Sequence, residues 1–524
     1  KTSSPGFSLR AAGRGMGKSG RAKSVAAAKG RRGLAKPLSL AVALVAVGYA
    51  LYTSASRTAE PPSATAQHTA QQPERTPERV VHPWRKRLAE TTQTLDECEK
   101  QQRRLTYIPA TWPGFHALCV ESANPGELVF RALVRNGGSV ETVRGGSVRE
   151  VLEKLKPLLA SEHGKSDPTI VDSVYAYPEH QWELFSPMGE HLTEGEQLEK
   201  GDLACVYEGG QFLWPGWEIG HVTHMEVPIL DASTREETWR TIPIKTVSLR
   251  PLVFVLEGFL ADDECEYIIS YASKRLVPSP LAHMDSSNRQ ERNVRTSTQT
   301  FMERGGSRVI LNLEHRAHNL TRLPYNLGEN IQVVKYQKGQ KYGAHRDFFS
   351  ANDYHQQPTM LDSVEYGARN RLATLFWYVS SVLEGGETFF PRALNASGVE
   401  YNPWNGDHED CYRGLAVKPT KGNAVLFYSL LPNGHLDERS LHGGCKPRGD
   451  DDVVKWGANQ WIWNKPSLNR GRKFPRKVLL PAASAPRPGC EDSTNDCVAW
   501  AASGECVKNP AYMESACALS CKRC

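Results

Sequence analysis

The second half of this 524-residue chain predicts an α+β domain built around a jelly-roll barrel, that is, a double-stranded β-helix. Three observations predict it. Two helical patterns are followed by many short apolar runs separated by Gly and Pro turns. Two stretches, Tyr336 to Asp347 and Leu441 to Trp461, concentrate side chains able to do chemistry. Those stretches hold His345, Asp347 and His442, and a jelly-roll barrel can bring such distant positions onto one mouth.

The chain is too long for one core and predicts about two to four domains. Its 40% apolar content and 12 Trp are those of a folded protein. The formal charge of +6 is misleading, because residues 1–37 hold ten Lys or Arg and no acid. Removing that tail leaves the rest near −4, which argues against a nucleic-acid groove, so no nucleic-acid partner is expected. Of the 12 Cys, six fall between Cys490 and Cys524. That density predicts a disulfide-stapled module in an oxidising compartment. Zinc fits less well, since the C-x-x-C spacing occurs there only at Cys521 and Cys524.

Taken in order, residues 1–37 have no apolar period and are expected to be a disordered cytosolic tail. Residues 38–53 contain the uncharged run Leu38 to Tyr52, extendable toward the length a bilayer needs. Basic residues before it favour a signal anchor with a cytosolic N-terminus; a cleaved signal peptide is the alternative. Residues 54–105 are expected to form a stalk, with Leu88, Leu95 and Leu105 spaced loosely on one helical face.

Residues 106–245 predict an accessory α+β region of unknown role. Leu128 to Val134 has a strand pattern. Ser147 and Glu150 form a capping box ahead of Val151, Leu152, Leu155 and Leu158. Leu203 to Tyr207 and Phe212 to Trp217 predict buried strand or loop. Of the histidines here, His163, His180, His191, His221 and His224 lack a metal-binding carboxylate pattern.

At Pro251 the texture changes, and a domain over 251–466 is expected. Leu252 to Leu256 is an apolar strand. Asp262 and Asp263 precede a helix bearing Cys265, Ile268, Ile269 and Ala272 on one face. Ser307 to Leu320 predicts a second helix. Strands are expected at Ile331 to Tyr336, Leu372 to Val379, Thr388 to Phe390, Leu415 to Pro419, Val425 to Leu430 and Trp461 to Trp463. Asn319 and Asn395 each open an N-x-S/T glycosylation triplet, as a lumenal domain would carry. Residues 467–489 are a basic, Pro/Ala-rich linker, and 490–524 the cysteine module.

Two imidazoles and one carboxylate on a single face of iron(II) leave positions open for a co-substrate and O2. His345, Asp347 and His442 are the candidates. Lys455 offers a compact charge able to hold the far end of a dicarboxylate. An H-R-D triplet and a Lys-Trp pair are equally compatible with ordinary strand packing, so local chemistry alone leaves both readings open.

Ordered segments decide between them. F-V-L-E-G-F-L-A-D-D-E-C at 254–265, V-R-T-S at 294–297 and Q-V-V-K-Y-Q-K-G-Q-K-Y-G-A-H-R-D-F-F from Gln332 are followed by R-L-A-T from Arg371 and E-G-G-E-T-F-F-P from Glu384. G-L-A-V-K-P from Gly414, G-N-A-V-L-F-Y from Gly422 and S-L-H-G-G-C from Ser440 complete the set. In these segments residues 251–464 resemble prolyl 4-hydroxylases. The resemblance implies an Fe(II)- and 2-oxoglutarate-dependent dioxygenase that hydroxylates peptidyl proline at C4, with L-ascorbate as reductant. His345, Asp347 and His442 would then bind iron. Lys455 would hold 2-oxoglutarate with Tyr336 and Thr388 as hydrogen-bonding partners. Arg295, Ser297, Glu329, Tyr342, Arg371 and Trp461 match positions that line the peptide groove. The implied partner is a proline-rich or collagen-like chain, met in the endoplasmic reticulum or Golgi by a lumenal domain.

Two departures stand out. Lys455 lies later after His442 than the family spacing, which an Arg448 to Asp452 insertion explains if it loops out; Lys446 is too close to His442 to substitute. The Phe348 to Asn370 loop is long. The C-terminal cysteines resemble a ShK toxin-like (ShKT) domain, which implies the pairs Cys490–Cys524, Cys497–Cys517 and Cys506–Cys521. Cys411 and Cys445 are a further candidate pair.

Overall fold

A computed structural model describes residues 94–466, except 107–111, 135–138, 161–169, 172–181, 231–235, 281–294, 355–356, 396 and 400–410. It also describes scattered positions between 493 and 521. The tail at 1–37, the apolar run at 38–53, the stalk as far as residue 93, the linker at 467–489 and the Cys490–Cys524 pair lie outside the described residues. Among the described residues no helix is long and apolar enough to cross a membrane.

Helix α1 (Leu95–Thr106) opens with Asp96 and Glu97 and closes with Arg103 and Arg104, matching the helix dipole at both ends. Cys98, Gln102 and Leu105 recur on one face and are all buried. Cys98 is disulfide-bonded to Cys119. The Gln102 amide donates to the carbonyls of Ala117 (2.8 Å) and Arg131 (2.9 Å). So the end of the expected stalk is part of the folded body. Its polar outer face hid this in the sequence.

Strands β1 (Phe115–Asn124), β2 (Glu127–Leu133) and β3 (Val140–Gly145) form an antiparallel run. Helix α2 (Val148–Leu159) follows. Ser147 caps it by accepting from the Glu150 amide (3.2 Å), while the Glu150 carboxylate reaches past the cap to accept from Gly146 N–H (2.8 Å). Its buried face is Val148, Val151, Leu152, Leu155 and Leu159; Leu158, expected there, is exposed. After β4 (Ile170–Val171), strands β5 (Glu183–Phe185) and β6 (Leu203–Tyr207) complete a five-stranded sheet ordered β3-β2-β1-β6-β5.

The expected division between 245 and 251 is not a division in the sheet. Strands β7 (Val222–Leu230) and β8 (Glu237–Leu249) form a long hairpin, and β8 pairs directly with β9 (Leu252–Leu256). The turn at Pro251 interrupts the hydrophobic pattern without ending the hydrogen-bond ladder. Helix α3 (Asp262–Ser273) begins at the aspartates themselves. Then come β10 (Val277–Pro278), β11 (Thr298–Met302) and α4 (Arg308–Thr321), capped by Ser307 accepting from Ile310 N–H (3.1 Å). The two helices are pinned by the fully buried Arg316, which grips Glu264 with bonds of 2.6 and 2.8 Å.

The barrel follows: β12 (Ile331–Gln337), β13 (Tyr342–His345), a loop bearing α5 (Pro358–Ser363), then β14 (Arg371–Tyr378), β15 (Glu384–Gly385), β16 (Thr388–Phe390), β17 (Leu415–Val417) and β18 (Ala424–Tyr428). It ends with β19 (Leu436–Asp437), β20 (His442–Gly444), β21 (Pro447–Arg448) and β22 (Val454–Trp463). The large sheet is ordered β10-β11-β12-β22-β14-β18-β9-β8-β7, and β13-β20-β16-β17 is the small sheet facing it. This is the expected α+β double-stranded β-helix. Alternation sets the two faces of the large sheet. Ile331, Val333, Leu375, Trp377, Leu426 and Ile462 belong to the main core, which also takes in α3 and α4 residues such as Ile268 and Leu313. Val334, Tyr336, Phe376, Tyr378, Val425 and Phe427 face inward and meet Phe390 and Val417 of the small sheet.

The C-terminal module contains α6 (Pro510–Ala516) and the expected Cys497–Cys517 and Cys506–Cys521 disulfides. Cys411–Cys445 is also bonded.

Candidate active site

Pairing of β13 with β20 sets His345 directly opposite His442. The rings lie side by side, with centroids 4.4 Å apart. In each, Nδ1 is 2.9 Å from a backbone carbonyl, that of Gly343 for His345 and that of Ser440 for His442. A carbonyl only accepts, so each Nδ1 carries the proton and each Nε2 presents a lone pair. Asp347 sits just past β13. Its oxygens lie 3.8 Å from His345 Nε2 and 3.6 Å from His442 Nε2. These separations are too long for hydrogen bonds. All three ligand atoms lie within 4.8 Å of one another, so they converge on a common point.

The carboxylate is held from behind. Its Oδ2 accepts from Thr374 Oγ1 (2.7 Å) on β14 and from Trp461 Nε1 (2.9 Å) on β22. Burial alone would raise its pKa, but the fields of His442, His345 and Arg371 outweigh this and hold it below the usual carboxylate range. Burial, followed by the charge of His442, pushes His345 well below the usual imidazole value. An anionic Asp347 and a neutral His345 are protonation states that suit binding of a divalent cation. Two nitrogens and one oxygen donor on one face fit Fe(II).

Deeper in the barrel lies Lys455, 1% exposed. Its ammonium is 5.1 Å from the Phe376 ring centroid, 5.4 Å from that of Tyr336 and 5.7 Å from that of Tyr378. The unusual spacing from His442 has the expected cause: β21 and the following turn at 449–452 form an excursion before β22 begins. Lys446 is exposed and is not the pocket lysine. Gly457 lets Phe376 approach this wall, because a Cβ there would lie 2.4 Å from the ring. Gly444 borders the opposite side: a Cβ on it would sit 4.0 Å from Lys455 Nζ and 3.9 Å from the Tyr336 hydroxyl. Burial lowers Lys455 to about 7, with Glu387 pulling the other way. Tyr336 borders Lys455 with its ring, and Thr388 is tied to Tyr378, another wall of this cup. Thr388 Oγ1 accepts from the Tyr378 hydroxyl (2.9 Å). A buried ammonium in an aromatic cup fits the carboxylate of a small diacid.

The expected groove residues fall into two sets. Tyr342 stacks on His345 with centroids 3.6 Å apart, and Arg295 lies over Tyr342 at 4.5 Å. Arg295 also donates to Ser297 (3.3 Å) and to Gln332 (3.2 Å). On the other side, Arg371 grips Glu329 through bonds of 2.6 and 2.9 Å and lies 3.9 Å over Trp461. Trp461 thus reaches the metal centre through Asp347, a role that its reading as groove wall did not include. Thr374 and Tyr378 were missed. Both sit in an apolar run where the sequence shows only strand filling.

A family model for the 2OG-Fe(II) oxygenase superfamily matches residues 331–463, and one for ShK domain-like modules matches 489–524. The fold and the site therefore define a 2-oxoglutarate- and Fe(II)-dependent dioxygenase. Probable prolyl 4-hydroxylase 4 of Arabidopsis thaliana is 38% identical over 288 residues, covering 54% of this chain and 88% of the relative. Prolyl 4-hydroxylase 2 of the same plant is 38% identical over 289 residues, with the same two coverages. The chain belongs to the prolyl 4-hydroxylase family. Among solved structures, a viral collagen prolyl hydroxylase from Paramecium Bursaria Chlorella virus-1 in its 2OG complex is 25% identical, covering 40% of this chain and 95% of its own, with a TM-score of 0.28.

Proposed function

We propose that this enzyme hydroxylates C4 of prolyl residues in proline-rich or collagen-like chains, in the lumen of the endoplasmic reticulum or Golgi. The observation that carries this reading is the convergence of His345, Asp347 and His442 beside a buried lysine, under a mouth walled by Tyr342 and Trp461. Residues 38–53 would anchor the chain as a single-pass type II protein, and Asn319 and Asn395 would carry glycans. The exposure of Asn319 and the disulfides of the folded body support an oxidising lumen.

When bound, the metal with 2-oxoglutarate and O2 supplies the oxidation: the diacid becomes succinate and CO2, and one oxygen atom enters the ring C–H bond. His345 and His442 supply Nε2, and Asp347 a carboxylate oxygen, to hold the metal. Lys455 neutralises the far carboxylate of 2-oxoglutarate, with Tyr336 and Thr388 beside it. Tyr342 and Trp461 present rigid faces suited to a proline ring and a polyproline II backbone. Tyr342 also shields one side of His345 from water. L-Ascorbate would serve as reductant.

The test is direct. Purified protein with Fe(II), 2-oxoglutarate and ascorbate should add one oxygen per modified proline of a proline-rich peptide and release succinate in equal amount. Loss of both signals in His345→Ala is expected. Succinate without peptide oxidation would redirect the reading to another substrate. A glycosidase-sensitive mass shift abolished by Asn319→Gln, and protection of the domain from protease in sealed microsomes, check the lumenal assignment.

A further inference from the structure

The mouth of the barrel continues past the residues that the family motif supplies. On β11 the side chains of Gln299 and Phe301 point to the inner face, since Thr300 and Met302 alternate to the other side. Phe301 pairs with Gln332 on β12, and Gln332 pairs with Asn459 on β22, so these three form one row across the sheet. The row is tied together: Asn459 donates to Gln332 Oε1 (3.0 Å), Gln332 donates to Gln299, and Arg295 reaches the same Gln332 oxygen. At its outer end Phe301 is 43% exposed although it lies on the barrel's inner face. Val277, directly opposite Gln299 on β10 and therefore on the same face, is 54% exposed. An aromatic and an aliphatic side chain thus stand in solvent at the rim, continuous with a floor of buried amides.

We propose that Phe301, backed by Val277, is a specificity-determining subsite that takes a second apolar residue of the peptide, preferably proline. The inference rests on the peptide reading given above and extends it. The spacing supports it. Phe301 is two strands from Asn459, or about 9.6 Å, and Asn459 is two residues from Trp461, or about 6.6 Å along the strand. Phe301 therefore stands roughly 12 Å from Trp461. A polyproline II helix rises about 3.1 Å per residue and repeats its faces every three, so the residue that meets Phe301 lies roughly three or four positions from the one being modified. Proline loses little further entropy on ordering and stacks well on an aromatic face, whereas a basic residue would meet the Arg295 guanidinium that is tied to this row.

The experiment is a cycle on the whole enzyme. One set of peptides carries a single target proline and one further proline scanned across positions on both sides, in an Ala/Gly background. A second set is truncated to the target and one neighbour on each side. For wild type, KM should be lowest when the further proline stands three or four positions away on one side. Phe301→Ala should raise KM for that peptide by roughly two- to tenfold, the range of an aromatic contact, with kcat unchanged. The same variant should treat the truncated peptide as wild type does, and it should lose the positional preference. Phe301→Tyr should restore it. The proposal is overturned if Phe301→Ala keeps the preference, or if it weakens long and truncated peptides alike. Failure of wild type on every peptide would instead remove the peptide reading itself.

Discussion

Among the described residues, a histidine is buried against a carboxylate in two places, and they are built differently. In the five-stranded sheet, His116 Nε2 meets Glu208 Oε1 at 2.8 Å, with the imidazole stacked on Trp182 at 5.2 Å. In the barrel, two imidazoles face Asp347 at 3.8 and 3.6 Å, and Nδ1 of each is already bound to backbone. The first pair consumes its bonding capacity internally. The second leaves its lone pairs aimed at a shared point. The same residue types therefore form a brace in one sheet and a metal centre in the other, and the direction of the free nitrogen decides which.

The largest test of that contrast removes a ligand. Asp347→Ala should abolish binding of Fe(II), or of Ni(II) as a silent substitute, together with all succinate release. Calorimetric titration of the metal and a turnover assay read the two losses separately. Retained metal affinity would mean that the three side chains are a structural cluster like the first pair.

Lys455→Met comes next. It leaves the metal centre intact but removes the partner for a dicarboxylate; losing one side of a buried ion pair costs about 3–5 kcal/mol, or roughly two to nearly four decades in KM for 2-oxoglutarate. Lys455→Arg should not rescue, because a planar fork does not fit a cup shaped for an ammonium. The pH dependence has a definite sign. Burial holds the empty pocket's ammonium at about 7, below the ordinary lysine value. The dianion binds the protonated form, so affinity is full below pH 7 and falls about tenfold per unit above it, until binding itself holds the proton. A Kd for 2-oxoglutarate that is flat from pH 6 to 9 would contradict this.

Thr374→Val probes the support behind Asp347. The hydroxyl donates to the carboxylate oxygen and is fully buried. Its loss should weaken metal binding about 10- to 100-fold, and Thr374→Ser should restore it. If the metal affinity of Thr374→Val matches wild type, Trp461 alone suffices to orient the carboxylate.

How far the sequence revealed this centre follows from the same geometry. His345 and Asp347 were legible only through the ordered segments shared with prolyl 4-hydroxylases, because an H-x-D followed by a second histidine and a lysine is by itself equally compatible with strand packing. Thr374 was not, since a threonine inside L-A-T-L-F-W-Y reads as strand filling; only the β14–β22 register, which sets Thr374 opposite Trp461, brings it beneath Asp347. Trp461 was legible as an aromatic wall but not as a donor, because nothing local fixes where an indole N–H points. The barrel strands were legible from their apolar runs. The continuity of β8 with β9 was not, because the turn at Pro251 breaks the run that carries the signal while the ladder resumes beyond it.

The smallest effect is expected at the first pair, and there the contrast is sharpest. His116→Ala should leave kcat and the metal affinity unchanged, because nothing in the five-stranded sheet supplies a ligand. It would instead take from Glu208, only 5% exposed, the imidazole that it meets at 2.8 Å. Removing one hydrogen bond from a buried carboxylate costs about 1–3 kcal/mol, seen as a lower denaturation midpoint with an unchanged slope. His116→Gln, which keeps a donor, should recover part of that loss. A fall in turnover at constant stability would show that this sheet is coupled to the barrel, which it touches where the Gly209 amide donates to Pro432 (2.7 Å). Stability lost with turnover preserved keeps the first pair a brace and the second the centre.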